Sequence, residues 1–292
     1  MAARLRGIGS IELGNVRTPR INAEDLGDIR VSLPSVDEQR RIADFLDGET
    51  SRIDNLFATR RRQMSLLDER LDAERERLLV QDPVTRPVPL MHLTNPVRPI
   101  VYGIVQAGPE DPLGVPYIKT GDLPELVVGS LSRTSPEIHK QFKRAAVRPG
   151  DIVMAMRASI GTVAVVPPDL PEANLTQGTA RIAAASGVSV DWLLQALQTR
   201  TALEQYNTRA VGTTFRTLNI WDLRRILIPT VPEIEQATLA SRITDIMVDY
   251  RRLRSLTEKQ LHLMTERRQA LIAAAVTGQI DVSTASGRGI ED

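Results

Sequence analysis

Apolar positions recur along this chain with two different periods, and the change of period divides it. From Glu235 to Thr277, positions 239, 243, 246, 250, 253, 257, 260, 264, 267, 271 and 274 keep the 4,3 spacing of a helical seam. Apolar residues fill most of that seam: Leu239, Ile243, Ile246, Tyr250, Leu253, Met264, Leu271 and Ala274. An earlier stretch, Glu38 to Leu79, carries Ile42, Leu46, Ile53, Leu56 and Leu67 in the same manner. Neither stretch contains proline, and only Gly48 interrupts the first. Proline and glycine cost a helix interior about 3 and 1 kcal/mol, so both stretches predict unbroken helices, each about 60 Å long at about 1.5 Å per residue. Both turn polar at matching places, Arg60 and Gln63 in the first, Thr257 and Gln260 in the second. This pattern predicts that they pack on each other as an antiparallel coiled-coil arm.

Between them the pattern changes. Prolines recur through residues 83–218, and short β-branched runs such as Asp151–Met154 and Gly161–Val166 replace the helical period. That segment predicts a globular domain of strands, short helices and many turns. The expected fold class is therefore α+β: one globular α/β domain plus two long helices.

Sliding the chain against itself by 197 residues superposes the two helical stretches. Asn22, Asp25, Leu26 and Ile29 fall on Asn219, Asp222, Leu223 and Ile226; Glu38 and Gln39 fall on Glu235 and Gln236; Ala43, Leu56, Glu69, Arg70 and Ala73 fall on Ala240, Leu253, Glu266, Arg267 and Ala270. Each copy reads as a short strand, a proline turn (Leu33-Pro34-Ser35-Val36 or Ile228-Pro229-Thr230-Val231-Pro232), an acidic helix start and a long helix.

Composition narrows the chemistry. The 292 residues suffice for about two domains. There is no apolar run of the about 18–20 residues that a membrane span needs, and the N-terminus shows no signal-peptide pattern, so a cytoplasmic protein is expected. With no cysteine in the chain, disulfides, thiolate metal sites and a cysteine nucleophile are excluded. The net charge of +1 announces no polyanionic partner, but residues 83–218 hold 13 basic against 10 acidic side chains, a mild local excess. His92, His139 and His262 are scattered without metal-ligand spacing. No phosphate-cradling glycine motif and no nucleophile elbow are present. Pro168-Asp169 with Glu172 is similar to the acidic pair of a metal-dependent nuclease, but Ala173 and Asn174 stand where a lysine would follow. The chain reads as a binding protein, not an enzyme, with neither a metal nor a cofactor of its own.

Two phrases carry a family resemblance: residues 29–47, IRVSLPSVDEQRRIADFLD, and residues 266–281, ERRQALIAAAVTGQID. Together they resemble the junction and tail of the conserved helical regions in the DNA specificity subunits of type I restriction-modification systems. The intervening turns at Val115–Leu123, Val147–Met154, Ile160–Val166 and Val211–Thr214 resemble that family's target recognition domain. Members carry two recognition domains, each followed by a conserved helix; the domains read the halves of a split target and the helices dock two methyltransferase subunits. Here only Asn22–Ile29 matches the tail at 219–226, so the chain resembles a half-subunit. The implied domains are 1–36, the tail of a truncated first recognition domain; 37–82, a helical arm; 83–232, a target recognition domain; 233–281, a second helical arm; and 282–292, a flexible tail. Implied partners are duplex DNA, a methyltransferase subunit that brings S-adenosylmethionine, a restriction subunit, and a second reader from a homodimer or a separate fragment. The alternative is a coiled-coil interaction fragment that binds the partner without reading DNA.

Reading a duplex needs cations on phosphates and Arg, Lys, Asn, Gln, Ser or Thr on base edges, presented by exposed turns. The candidates are Lys119 and Thr120 in the Gly-Asp turn; Lys140, Lys143 and Arg144 before Pro149; Arg157 and Ser159 before Gly161; Gln177 and Thr179 around Gly178; and Thr213, Thr214 and Arg216 after Gly212. Each has a plain alternative as a solvated charge or a turn-capping hydroxyl. Aromatic residues make up 3% of the chain, too few for the stacking platforms of a single-strand binder. Trp192, Trp221 and Tyr206 sit in apolar contexts and are expected in the core.

Overall fold

The run Ile152-Val153-Met154-Ala155 is apolar without alternation, as befits a strand covered on both faces. A computed structural model of the chain, which describes residues 33–81, 85–104, 106–213 and 216–282, shows it covered so. In chain order the elements are α1 (Val36–Leu79), β1 (Arg86–Pro89), β2 (Val101–Tyr102), β3 (Val115–Ile118), β4 (Arg133–Thr134), α2 (Pro136–Phe142), β5 (Ile152–Ala155), β6 (Val163–Val165), β7 (Asn174–Leu175), β8 (Thr179–Ile182), α3 (Val190–Ala196), α4 (Arg200–Arg209), α5 (Ile220–Leu223), β9 (Leu227–Thr230) and α6 (Glu233–Val276). The expected first-domain tail lies outside the described residues up to position 32, as does the expected flexible tail beyond 282.

The strands form a four-stranded antiparallel sheet in the order β2-β8-β5-β6, a three-stranded sheet β4-β3-β7 in which β3 and β7 run parallel, and a ribbon pairing β1 with β9. Successive side chains of a strand point to opposite faces, so β5 serves two cores at once. Ile152 and Met154 join Trp192, Leu193, Tyr206, Leu218, Ile228, Leu78, Leu79, Leu239 and Ile243 on one face. Val153 and Ala155 join Ile118, Leu123, Val147, Val166, Leu170 and Leu175 on the other. Each large side chain so buried contributes about 1.5–3 kcal/mol.

Helix boundaries follow from local chemistry. Ser135, Ser189, Thr199 and Asn219 each accept a backbone N–H in the first turn of α2, α3, α4 and α5, satisfying donors that no helix can satisfy for itself. Tyr206 and Trp192 are buried as their patterns predict, and the Tyr206 hydroxyl donates to the Leu197 carbonyl at 3.0 Å. Burial holds that phenol's pKa far above its ordinary value. Trp221 is not buried: it is 65% exposed, and the Arg225 guanidinium stacks on its ring at 3.2 Å. In the single turn of α5 Leu223 is buried and Ile220 packs partly buried against the core, and four residues are too few to define an apolar face.

The chain divides into two units, at Ser65/Leu66 and at Arg252/Leu253, so each long helix contributes to both. In the unit of residues 66–252, the end of α1 (Leu78, Leu79) and the start of α6 (Leu239, Ala240, Ile243) are embedded in the main core, and the Tyr250 hydroxyl donates to Asp68. In the other unit, Arg268 and Asp54 form an ion pair at 3.5 Å. Along α6 the expected seam positions Leu239, Ile243, Ile246, Tyr250, Thr257, Met264, Leu271 and Ala274 are covered, whereas Leu253, Gln260 and Arg267 are exposed, with Arg254 and Leu261 covered beside the first two. On α1, Phe57, Arg60 and Met64 are covered while Leu56 and Gln63 are exposed. The departures are local, since Ile42, Leu46, Ile53 and Leu67 of α1 and the last positions of the α6 seam, Leu271 and Ala274, are covered; a helix of about 3.6 residues per turn meets a template of about 3.5 only approximately at any one turn.

The 197-residue repeat survives in one side-chain detail. The Gln236 amide donates to the Val231 carbonyl at 3.2 Å, and the Gln39 amide donates to the Pro34 carbonyl at 2.8 Å, each five residues back. Gln236 is buried and also accepts the Ser189 N–H at 2.8 Å; Gln39 is exposed.

Gly103, directly after β2, passes so close to β7 that an added Cβ would lie 1.8 Å from the Leu175 carbonyl oxygen. Gly103→Ala is therefore expected to cost at least about 3 kcal/mol, read as a lower urea midpoint with an unchanged slope.

Candidate nucleic-acid interface

The turn between β7 and β8 is closed locally: Thr179 donates from both N–H and hydroxyl to the Thr176 carbonyl, at 3.1 and 3.0 Å. Thr179 is fully buried and belongs to this turn's own bonding, so it is withdrawn from the candidate contacts. The turn instead presents the Gly178 carbonyl, which accepts two bonds from elsewhere. One comes from the Thr120 hydroxyl at 3.2 Å and one from the Met156 N–H at 2.8 Å. Three loops distant in sequence are thereby joined: 119–122, 156–162 and 176–178.

A fourth loop attaches to the second. The Leu218 N–H donates to the Met156 carbonyl at 2.9 Å, and Arg157 forms a backbone bridge with Thr217. Val211 and Thr217 exchange both backbone bonds at 2.9 Å, closing a hairpin whose tip holds the exposed Thr213 and Arg216. Arg216 donates to the Asn207 carbonyl, which holds its guanidinium against the end of α4. Thr214 lies outside the described residues.

Arg157 and Ser159 are exposed and flank Ala158, whose φ of 59° is left-handed. Among the described residues no other non-glycine has a positive φ. An alanine there costs about 1–2 kcal/mol, so the surrounding bonds must hold it: Ala155 N–H to Thr162 O at 2.8 Å, Gly161 N–H to Ala155 O at 3.2 Å and Thr162 N–H to Ser159 O at 3.0 Å. The Arg157 guanidinium has no carboxylate partner among the described residues. Gln177 and Thr120 are half-buried in the same group of loops. Lys119 is exposed, with its ammonium donating to the Ser132 hydroxyl at 2.7 Å and lying 5.5 Å from the Tyr117 ring centre.

Lys140, Lys143 and Arg144 form a second group, on α2 and the turn that follows it. Their side chains are exposed and carry no ion pair among the described residues. What anchors this element is not Gly178 but Asn174 and Arg181. The Asn174 amide donates to His139 Nδ1 at 3.1 Å, and His139 Nε2 lies 3.3 Å from Glu172. Arg181 is buried on β8 and donates to the carbonyls of Arg144 and Ala146 at 2.8 Å and of Pro99 at 3.1 Å. Burial first, then the nearby Arg98 and Arg148, lower its pKa, opposed by Asp151, which pairs with Arg98. The pattern of basic residues found the run at 140–144; Arg148, also exposed and without an ion pair among the described residues, escaped it because Ala145, Ala146 and Val147 separate it from that run.

Glu172, one half of the acidic pair weighed as a nuclease feature, is engaged by His139, and Asp169 is exposed. Among the described residues no three His, Asp or Glu side chains are grouped to hold a metal ion, and no helix is long and apolar enough to cross a membrane.

Thr179→Val should leave affinity for DNA unchanged to within about 0.5 kcal/mol while lowering stability by about 1 kcal/mol for the lost turn bond. Fluorescence anisotropy with a duplex and thermal melting check the two halves.

The family model for the type I restriction modification DNA specificity domain matches residues 105–262. The chain is 23% identical over 293 residues to the type I restriction enzyme EcoBI specificity subunit of Escherichia coli, a match covering 91% of this chain and 61% of the relative. Among solved structures it resembles a chain from a study of complex assembly and conformational transition in the type I R-M system, with a TM-score of 0.71 at 19% identity, covering 91% of this chain and 66% of that one. It also resembles the HsdS subunit of Thermoanaerobacter tengcongensis, with a TM-score of 0.53 at 19% identity, covering 92% and 66%. The chain thus spans under two thirds of the length of these relatives, and, its matched segment being the one that holds both groups of candidate contacts, it belongs to the type I restriction modification DNA specificity domain family.

Proposed function

We propose that the chain is a non-catalytic specificity subunit that reads one half of a split duplex target and docks a DNA methyltransferase subunit through its helical arm. The observation that carries this reading is the convergence of the 119–122, 156–162 and 176–178 loops on the Gly178 carbonyl, with the unpaired Arg157 among them. An arginine held on a rigid loop can bond the O6 and N7 of a guanine in the major groove. Gln177, Ser159, Thr120 and Thr213 are the neighbouring side chains of the type that reads base edges. Lys119, Lys140, Lys143 and Arg144 serve the phosphates, fixing register without sequence information.

The arm is proposed as an antiparallel coiled coil, supported by the opposite order of the Asp54–Arg268 and Asp68–Tyr250 contacts along the two helices. Leu56, Leu253, Leu256 and Leu263 are about half exposed or more, an apolar surface that pairing of the helices does not use. It supports docking of the methyltransferase, which supplies S-adenosylmethionine and the methyl transfer; a restriction subunit and a second reader, from a homodimer or a separate fragment, complete the assembly. A cytoplasmic setting goes with that partnership. The same leucines also favour the second reading, an interaction fragment that binds its partner without reading DNA.

Copurification from the native host followed by duplex binding separates the two. Methyltransferase recovery with sequence-selective binding at physiological salt supports the first reading; recovery with no duplex preference supports the second. Arg157→Ala should cost about 1–3 kcal/mol on a specific duplex and relax selectivity, whereas Lys143→Ala should weaken all duplexes alike and lower the salt slope by about 1. Leu256→Asp should reduce methyltransferase recovery while leaving helix content, by circular dichroism, unchanged.

A further inference from the structure

Tyr102 belongs to none of the loops just described, yet its hydroxyl touches the root of one of them. It donates to the Leu218 carbonyl at 3.3 Å and accepts the Ile220 N–H at 3.1 Å. Leu218 is the residue whose own N–H bonds Met156, immediately before Arg157, so one phenol ties the 211–218 hairpin and, through Leu218, the Arg157 loop to the central sheet. The tyrosine is itself held in register: β2 pairs Tyr102 with Ala180 of β8, and the next residue, Gly103, is pressed against Leu175 with no room for a side chain. Burial raises the phenol's pKa, opposed by Ile220 and then Arg157, so the hydroxyl keeps the proton it donates.

We propose that Tyr102 is a positioning residue for target recognition, its hydroxyl setting the hairpin at 211–218 against the loop that carries Arg157. This rests on the duplex-reading function proposed above. Removing the hydroxyl leaves the ring to pack and leaves two backbone groups, Leu218 C=O and Ile220 N–H, without the partner that fixes them. The expected result is a loosened recognition face on an intact domain.

The test uses the full chain with its methyltransferase partner and the variants Tyr102→Phe and Tyr206→Phe. Tyr206 is the control, since its hydroxyl bonds the Leu197 carbonyl and neither loop, while the ring that lies beside Gly161 is kept in phenylalanine. Tyr102→Phe should speed amide exchange at Thr217, Leu218 and Ile220 about tenfold. It should also lower affinity for the selected duplex about 5- to 20-fold while affinity for an unrelated duplex, and its salt dependence, stay unchanged. Tyr206→Phe should lower melting temperature without changing the ratio of the two affinities. Unchanged exchange at 217–220 overturns the clamp. Faster exchange with an unchanged affinity ratio overturns the positioning role and leaves a structural bond. A wild-type complex that prefers no duplex overturns the duplex-reading function itself, and the positioning role with it.

Discussion

Strand β5 has no solvent face, and the rest of the globular unit is arranged around that constraint. Ile152 and Met154 look into the core shared with the two long helices, and Val153 and Ala155 into the core beneath the β4-β3-β7 sheet. A strand buried on both sides cannot slip by one residue without exchanging its two sets of apolar side chains between cores of different shape. Its end is therefore a fixed point, and the loop at 156–162 begins there. The same holds for β8, where buried Ile182 and Ala180 alternate with Arg181, whose guanidinium reaches three backbone carbonyls.

From these fixed strand ends, side chains and backbone groups far apart in sequence are brought to one place. Residues 120, 156 and 178 meet at a single carbonyl, and residue 218 reaches residue 156. The convergence places the candidate contacts on loops whose bases are bonded to rigid elements, which is what discrimination between bases demands. The basic run on α2 is anchored separately, by Asn174 and Arg181, a division that parallels the two tasks proposed for these residues, holding a backbone and reading an edge.

Sequence pattern made much of this legible where it spans many residues. The long helices follow from tens of residues of apolar period; Trp192 falls in the core beside Val190, Leu193 and Leu194, and Tyr206 does so on the helix face it shares with Ala202 and Leu203. The exposure of Trp221 was not legible, since α5 is a single turn and one turn has no readable face. Most of the expected helical seam is covered, and it fails only at single positions such as Leu253 and Leu56, where the template of about 3.5 residues and the helix of about 3.6 point to neighbouring residues. Thr179 and Thr120 have the same local look, a hydroxyl beside a glycine turn; only long-range pairing decides that the first closes its own turn and the second reaches across to Gly178. Nothing local marks Tyr102, whose partners lie more than a hundred residues away.

The left-handed backbone of Ala158 limits how such a loop can be diversified. Glycine, asparagine and aspartate enter that conformation readily, and alanine at modest cost, but a β-branched or bulky residue is a severe outlier there. The middle position of the Arg157-Ala158-Ser159 tip is thus closed to most of the amino-acid alphabet, while the two positions beside it are open and exposed. In the duplex-reading role proposed for this loop, exchange of one target sequence for another would proceed by substitution at the flanking residues, with the residue between them held constant as the frame on which each new pair of side chains is displayed.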